Sequence, residues 1–279
     1  MSAAVASRPI RTPRFSRATA LLSGMNVASI QSHMLAQRMH LTKQKNVAHR
    51  FRPIAIYQDR RHAGKLPASA LKRYADGEDV VVLALPRGGV PVAFEVATAL
   101  GAPLDVFVVR KLGVPGFPEL AMGAIATGGA IVLNREVVDG LQIPEEMIDA
   151  VVQAERRELE RREREYRGDR PPLDVTGRTV ILIDDGLATG ARMRAAIAAL
   201  RQRGPKRIVV GVPITAPETC EEVGREVDDI VCAATPESFQ AVGLWYRDFS
   251  QTSDEEVRRL LQQAAQRHSS TAGQTHDHK

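Results

Sequence analysis

Val180-Ile181-Leu182-Ile183-Asp184-Asp185-Gly186-Leu187-Ala188-Thr189-Gly190-Ala191 is the stretch that decides the fold. Four apolar residues read as a strand covered on both faces. Two carboxylates follow, then a loop of small residues, then a helical pattern over 191–203. In open α/β sheets, ligands collect beyond the carboxyl ends of the strands, and Asp184 and Asp185 stand at such an end. Neighbouring strand residues point to opposite faces, so the two acids do not compete for one proton, yet at a strand end both reach one ligand. Carboxylates accept hydrogen bonds from a vicinal diol. Gly186, Leu187, Ala188, Thr189 and Gly190 offer backbone N–H groups at a helix start, which bind phosphate without a basic side chain. The Thr189 hydroxyl adds a donor. Diol recognition beside phosphate recognition describes a ribose 5-phosphate. No Gly-Lys-Ser/Thr and no G-x-G-x-x-G is present, which argues against a Walker loop and a dinucleotide fingerprint.

Outward from this stretch, apolar runs alternate with helical patterns. Asp59–Ala75 reads as a helix with Pro67 inside it, Val80–Leu85 as a buried strand, and Pro91–Leu100 as a helix closed by Gly101. Val106–Val109 reads as a second buried strand, and Gly123–Asn134 as a hairpin turning at Thr127-Gly128-Gly129. Pro144–Arg167 is a charged helix with Glu158/Arg162 and Glu160/Arg164 at i,i+4. Strand 207–213, helix 217–225 and strand 229–234 complete the alternation. The expected class is α/β, a mostly parallel twisted sheet flanked by helices. The domain is expected over 57–262, with a disordered tail over 263–279. His268, His276 and His278 in that tail are weak grounds for a metal.

The 279 residues carry 38 Lys and Arg against 33 Asp and Glu. Residues 1–58 hold nine of the basic residues and no acid, so the remainder is net acidic at −4. The basic character belongs to the first segment and does not point to nucleic acid. For residues 1–56 three readings stay open: a disordered extension, an Arg- and Ser-rich targeting peptide, or an upstream start with Met34 or Met39 as the first residue. No apolar run is long enough to cross a bilayer. Cys220 and Cys232 are too few for a disulfide scaffold or zinc cluster. They read as ordinary small apolar residues, which fits a reducing cytoplasm. The expected location is cytoplasmic, or organellar if residues 1–50 are a transit peptide.

Residues 180–192 resemble the phosphoribosyl diphosphate (PRPP) binding motif of the type I phosphoribosyltransferases. From about Tyr57 to Arg259 the chain resembles a bacterial subfamily of that superfamily. The marks are Asp59-Arg60-Arg61-x-Ala63-Gly64, Leu85-Pro86-Arg87-Gly88-Gly89-Val90-Pro91-Val92, Arg110-Lys111-Leu112-Gly113 and Trp245-Tyr246-x-Asp248-Phe249. The resemblance implies the type I fold with a small hood subdomain, and a Mg²⁺-dependent pentosyltransferase of nucleotide metabolism. It would join PRPP to a nitrogenous acceptor, a nucleobase being one candidate, and release pyrophosphate. It also implies a homodimer; the charge distribution and the short apolar runs lead to an expectation of no nucleic-acid or membrane partner.

Pyrophosphate leaves from an oxocarbenium-like state, so the site must neutralise a highly charged group. Arg87, Gly88 and Gly89 follow the first strand and match the family's pyrophosphate loop, where a cis non-proline peptide is expected around Arg87 and Gly88. Arg110 and Lys111 are expected at the same rim, with Gly113–Leu120 as a loop able to close over it. Glu119 is a candidate acid or base. Catalysis is assigned to Asp184, Asp185, Arg87 and Lys111. Asp184 and Asp185 would hold Mg²⁺ indirectly, through substrate oxygens and water. The acceptor hood is expected at 242–249 with help from 59–64. There Trp245 or Tyr246 would stack on a flat acceptor or fill the hood core, and Asp248 would contact Mg-pyrophosphate or acceptor. The alternative to an enzyme is a PRPP-sensing module without turnover.

Overall fold

Two five-residue runs, Val80–Ala84 (β1) and Thr179–Ile183 (β6), lie side by side with every residue buried. The computed structural model describes residues 56–75 and 77–274. The basic extension read over 1–56 lies outside the described residues except for Ile56, as do residues 275–279.

Between β1 and β6 the chain forms α2 (Gly89–Leu100), β2 (Leu104–Val106), β3 (Val109–Val114), β4 (Phe117–Ala126), β5 (Ala130–Leu133), α3 (Arg135–Gly140) and α4 (Glu145–Arg167). Helix α1 (Arg60–Ala70) precedes them. After β6 come α5 (Ala191–Arg201), β7 (Arg207–Ile214), α6 (Pro217–Gly224), β8 (Asp229–Ala234) and α7 (Asp254–Gln274). Strands β2-β1-β6-β7-β8 form a parallel sheet, and β3-β4-β5 a separate antiparallel one. The α/β class expected from the alternation is what the chain adopts.

Strand periodicity sends alternate residues to opposite faces. Val80, Val82 and Ala84 join one core cluster with α2 and α7, while Val81, Leu83 and Leu85 join another with α5. Each large aliphatic side chain taken fully out of water contributes about 1.5–3 kcal/mol, so the central strands are held hard from both sides. The register Ala84 to Ile183 places the carboxyl ends of β1 and β6 together. Leu85 N–H donates to the Ile183 carbonyl at 2.9 Å, which carries the ladder one residue into the loop. Loops 85–89 and 184–190 are therefore neighbours.

Four expectations are corrected. The run 106–109 is not one strand: the chain leaves the parallel sheet after Val106 and enters the antiparallel sheet at Val109. Phe107 and Val108 are both buried across this switch, so apolar character does not reveal it. The stretch 113–120 is not a free loop but the tip of the β3–β4 hairpin, turning at Gly116 with φ 80°. Gly113 is needed there because a Cβ would lie 2.7 Å from the Pro118 carbonyl oxygen. Cys220 and Cys232 are not two thiols: they form a disulfide joining α6 to the strand that follows it, with Cα atoms 6.4 Å apart. That removes the support they lent to a reducing compartment. Finally, the chain does not lose regular structure at 263, since α7 continues to Gln274.

Candidate functional site

Asp184 is 3% exposed. Arg192, in the first turn of α5, donates from Nη2 to both Asp184 carboxylate oxygens at 2.6 Å, and from Nη1 to the Pro86 carbonyl at 3.2 Å. The Asp185 amide donates to Asp184 Oδ1 at 2.9 Å. Burial pushes the Asp184 carboxyl well above the usual carboxylate range, and the Arg192 guanidinium opposes that push. Asp185 has its own cation: Arg60, the first residue of α1, donates from Nε to Asp185 Oδ2 at 2.8 Å. Each acid of the pair is thus held by a separate arginine.

The loop after the pair is anchored from below. Leu187 is buried, its N–H donates to the Ile214 carbonyl at 3.0 Å, and the Thr215 hydroxyl donates to the Leu187 carbonyl at 3.1 Å. Gly186 fits because a Cβ would lie 2.6 Å from Val242 Cγ1 and 2.9 Å from Ile214 Cγ2. Gly190 starts α5 at φ 70°, a conformation that favours glycine, against Thr219 and Val223 of α6. The Leu187 amide is therefore spent inside the protein. Among the described residues, the amides of Ala188, Thr189 and Gly190 meet no acceptor. Ala188 and Thr189 are exposed. The amides of exposed Ala188 and Thr189, at a helix start with a threonine hydroxyl beside them, are placed as an anion would need them.

Loop 86–89 closes against the acids. The Pro86–Arg87 peptide is cis. A Cβ on Gly88 would sit 2.0 Å from Asp185 Oδ2, and one on Gly89 would sit 2.8 Å from the Ile183 carbonyl oxygen. Both glycines are required by this approach. Arg87 is half-buried and pairs with Asp254 Oδ1 at 3.6 Å, an oxygen that also accepts the Tyr166 hydroxyl at 3.0 Å.

The hood is built from both ends of the described chain. Tyr57 N–H donates to the Trp245 carbonyl at 3.0 Å, Arg247 N–H to the Tyr57 carbonyl at 2.9 Å, and Asp248 N–H to the Gln58 carbonyl at 2.8 Å. Tyr57, Ala63, Ile214 and Tyr246 form its small core. Tyr246 is 5% exposed, its ring packs on Tyr57 and Phe249, and its hydroxyl donates to the Asp185 carbonyl at 2.6 Å. Burial drives that hydroxyl far above the usual phenol range. Its ring is not open to a stacking acceptor; it is a strut between hood and acid pair. Trp245 is partly buried against the same core. Asp248 accepts the Ser250 amide at 2.9 Å, which lowers its carboxyl below the ordinary value.

Among the described residues, the ion-pair partners of Arg110 and Lys111 are not Asp184 or Asp185. The two basic residues stand on β3, where Arg110 Nε donates to Glu155 of α4 at 2.7 Å and Lys111 pairs with Glu119 at 3.5 Å. Glu119 projects into solvent, its side chain 92% exposed.

Two site residues escape motif reading. Arg60 falls inside a quoted motif, but nothing in the spacing ties it to Asp185, 125 residues away. Arg192 leaves a faint signal: a cation in the first turn of a helix opposes the dipole, and such a residue calls for an acid partner.

Comparison with known proteins agrees with this geometry. The model of the phosphoribosyl transferase domain matches residues 55–245. Rv0571c of Mycobacterium tuberculosis H37Rv, provisionally named a phosphoribosyl transferase, is 48% identical over 209 residues, covering 75% of this chain and 47% of its own length. The chain thus spans about half the length of the curated Mycobacterium tuberculosis relatives it matches. The bifunctional protein PyrR of Chloroflexus aurantiacus is 34% identical over 131 residues, covering 46% of this chain and 66% of its own. The crystal structure of TT1426 from Thermus thermophilus superposes with a TM-score of 0.66 at 43% identity, over 74% of this chain and 98% of that one.

Proposed function

This chain belongs to the phosphoribosyl transferase family, and we propose that it moves ribose 5-phosphate between PRPP and a nitrogenous acceptor, with pyrophosphate as the other partner. The observation that carries the proposal is the meeting of Asp184 and Asp185 with the open amides of Ala188 and Thr189 on one side and loop 86–89 on the other. The acids accept the ribose hydroxyls, the amides and Thr189 take the 5-phosphate, and Arg87 with the Gly88-Gly89 backbone receives pyrophosphate. Arg87 is one-third exposed (33%) and its ion pair with Asp254 is long at 3.6 Å, so its fork is available to phosphate oxygens. Arg110 and Lys111 contribute at most from the rim. Trp245 and Asp248 remain the hood residues that would meet the acceptor.

The residues present fit Mg²⁺ carried mainly by substrate oxygens and water. Among the described residues no cluster of three or more His, Cys, Asp or Glu is placed to hold a metal. Both acids are engaged by arginines, so Asp184 and Asp185 would hold the ion through its waters. When bound, it would neutralise charge on the pyrophosphate. The protein's own part is to orient the ribose against Asp184 and Asp185, and to hold leaving-group charge at Arg87.

Calorimetric titration with PRPP and Mg²⁺, followed by pyrophosphate release over a panel of nucleobases, tests the proposal. Wild type should bind PRPP, and Asp184→Asn should abolish PRPP-dependent turnover. Unchanged turnover in that variant removes the role given to Asp184. Arg87→Ala should weaken pyrophosphate more than ribose 5-phosphate, and equal weakening counts against the pyrophosphate loop. Tight PRPP binding without release on any acceptor assigns the sensing role instead.

A further inference from the structure

Arg60 touches three segments that are far apart in sequence. Its Nε donates to Asp185 Oδ2 at 2.8 Å, and its Nη1 donates to the Ser250 carbonyl at 2.6 Å. Its guanidinium carbon lies 4.0 Å from the centroid of the Phe249 ring. Its Nε is also 3.0 Å from where a Gly88 Cβ would stand. The pair is well shielded, with side chains 12% and 14% exposed for Arg60 and Asp185. Asp59 caps the helix that carries Arg60, accepting the His62 amide at 2.7 Å. The arginine therefore projects from a fixed helix start. Phe249 in turn packs on the hood, its ring 5.0 Å from Tyr246 and its Cδ1 2.8 Å from where a Gly243 Cβ would stand.

These contacts have a directional consequence. A guanidinium is planar, and its edge contacts and its stacked face are fixed together. If a ligand draws the Asp185 carboxylate toward itself, Arg60 must follow or lose its partner. If Arg60 follows, its stack on Phe249 and its bond to Ser250 change with it. Coupling between two sites is a free-energy difference carried by such shared contacts, and it acts in both directions. Tyr246 adds a second tie between the same parts through the Asp185 carbonyl, but that bond engages the backbone and does not sense the carboxylate.

We infer that Arg60 is a positioning residue that couples the diol end of the pocket to the acceptor hood, so that PRPP at Asp185 reorganises the hood through the Phe249 stack. The inference rests on the reading of Asp184 and Asp185 as the PRPP diol site. It goes beyond that reading by naming how the acceptor side is informed that PRPP is bound.

Trp245 is the only tryptophan of the chain and lies in the hood, which supplies a local probe. The experiment titrates PRPP with Mg²⁺ into full-length protein while recording heat and tryptophan emission in parallel. Wild type should show an emission change that saturates with the heat. Arg60→Ala should bind PRPP about tenfold more weakly, close to 1.4 kcal/mol, and should lose the emission change even at saturation. Arg60→Lys should recover part of the affinity but not the emission response, because an ammonium cannot make the stack and both bonds together. Phe249→Leu leaves the Arg60–Asp185 pair in place, so it should shift PRPP affinity less than Arg60→Ala does and lose most of the response. It also serves if Arg60→Ala does not fold. A full wild-type emission response in both Arg60→Ala and Phe249→Leu overturns the coupling, and so does a wild type that binds PRPP with no emission change. Absence of heat in wild type overturns the functional reading and the coupling with it, and is seen before any variant is made.

Discussion

The loop after β6 and the β3–β4 hairpin behave differently in the fold. Both carry charge beside small residues, and both are expected near phosphate. In the first, Asp184 is 3% exposed and each acid has its own arginine. In the second, Lys111 and Glu119 face solvent, with side chains 46% and 92% exposed, and meet at 3.5 Å. Removing charges from water is costly, so a buried pair persists only where partners over-determine it. An exposed pair asks nothing of its surroundings and gives little back. The difference teaches that position relative to the strand ends, rather than residue type, decides which charges are buried and braced.

The sharpest way to break the comparison is Gly88→Ala. Its Cβ would lie 2.0 Å from Asp185 Oδ2 and 3.0 Å from Arg60 Nε, so the Asp185 carboxylate must leave its place and its pair with Arg60. The expected cost is about 3 kcal/mol in stability, with loss of measurable PRPP binding, read by thermal melting and calorimetry. Wild-type affinity in that variant would mean that the loops are not locked together. Next comes the brace behind the loop. Thr219 of α6 donates to the Ala188 carbonyl at 3.4 Å, and the next residue, Cys220, is bonded to Cys232. Reduction, or the double change Cys220→Ser with Cys232→Ser, should lower stability by about 2–3 kcal/mol in urea unfolding with and without dithiothreitol.

Arg192→Ala leaves the Asp184 carboxylate buried without its cation. The expected loss is about 2 kcal/mol, below the figure for fully buried pairs because Arg192 is half-exposed, and Arg192→Lys should restore part of it in the same melts. At the other end, Lys111→Ala or Glu119→Ala should change stability by no more than about 0.5 kcal/mol in urea titration. A loss there equal to that of Arg192→Ala would erase the distinction between the two regions. A Lys111→Ala that weakens pyrophosphate more than Arg87→Ala would invert it.

Much of the parallel sheet was legible in advance. Runs such as Val80–Leu85 and the alternation after residue 179 carry strand and helix periods strong enough to place β1, β6, β7 and β8 within a residue or so. The acid pair, its loop, and the cis peptide at Pro86–Arg87 sit where motif reading expected them. The sheet switch at 106–109 was hidden because Phe107 and Val108 stay apolar across it. The hairpin at 113–120 was hidden because Pro115, Gly116 and Pro118 resemble a loop, and their pairing shows only once β3 and β4 lie together. The sequence leaves Tyr246 between a platform for an acceptor and a part of the hood core, and its burial places it in the core. The disulfide was missed because two cysteines twelve residues apart say nothing about which way a helix lies on its strand.

Sequence alone determined the period of each element and the strand end at which the acid pair and its small-residue loop stand, because these depend on neighbours along the chain. Tertiary structure alone decided which arginine answers each acid, Arg192 for Asp184 and Arg60 for Asp185. It also decided that the hood is closed by Tyr57 and Tyr246 from opposite ends of the domain. Charge pairing and ring packing act over a few ångströms in space, and no spacing in the chain records which distant residues will come that close.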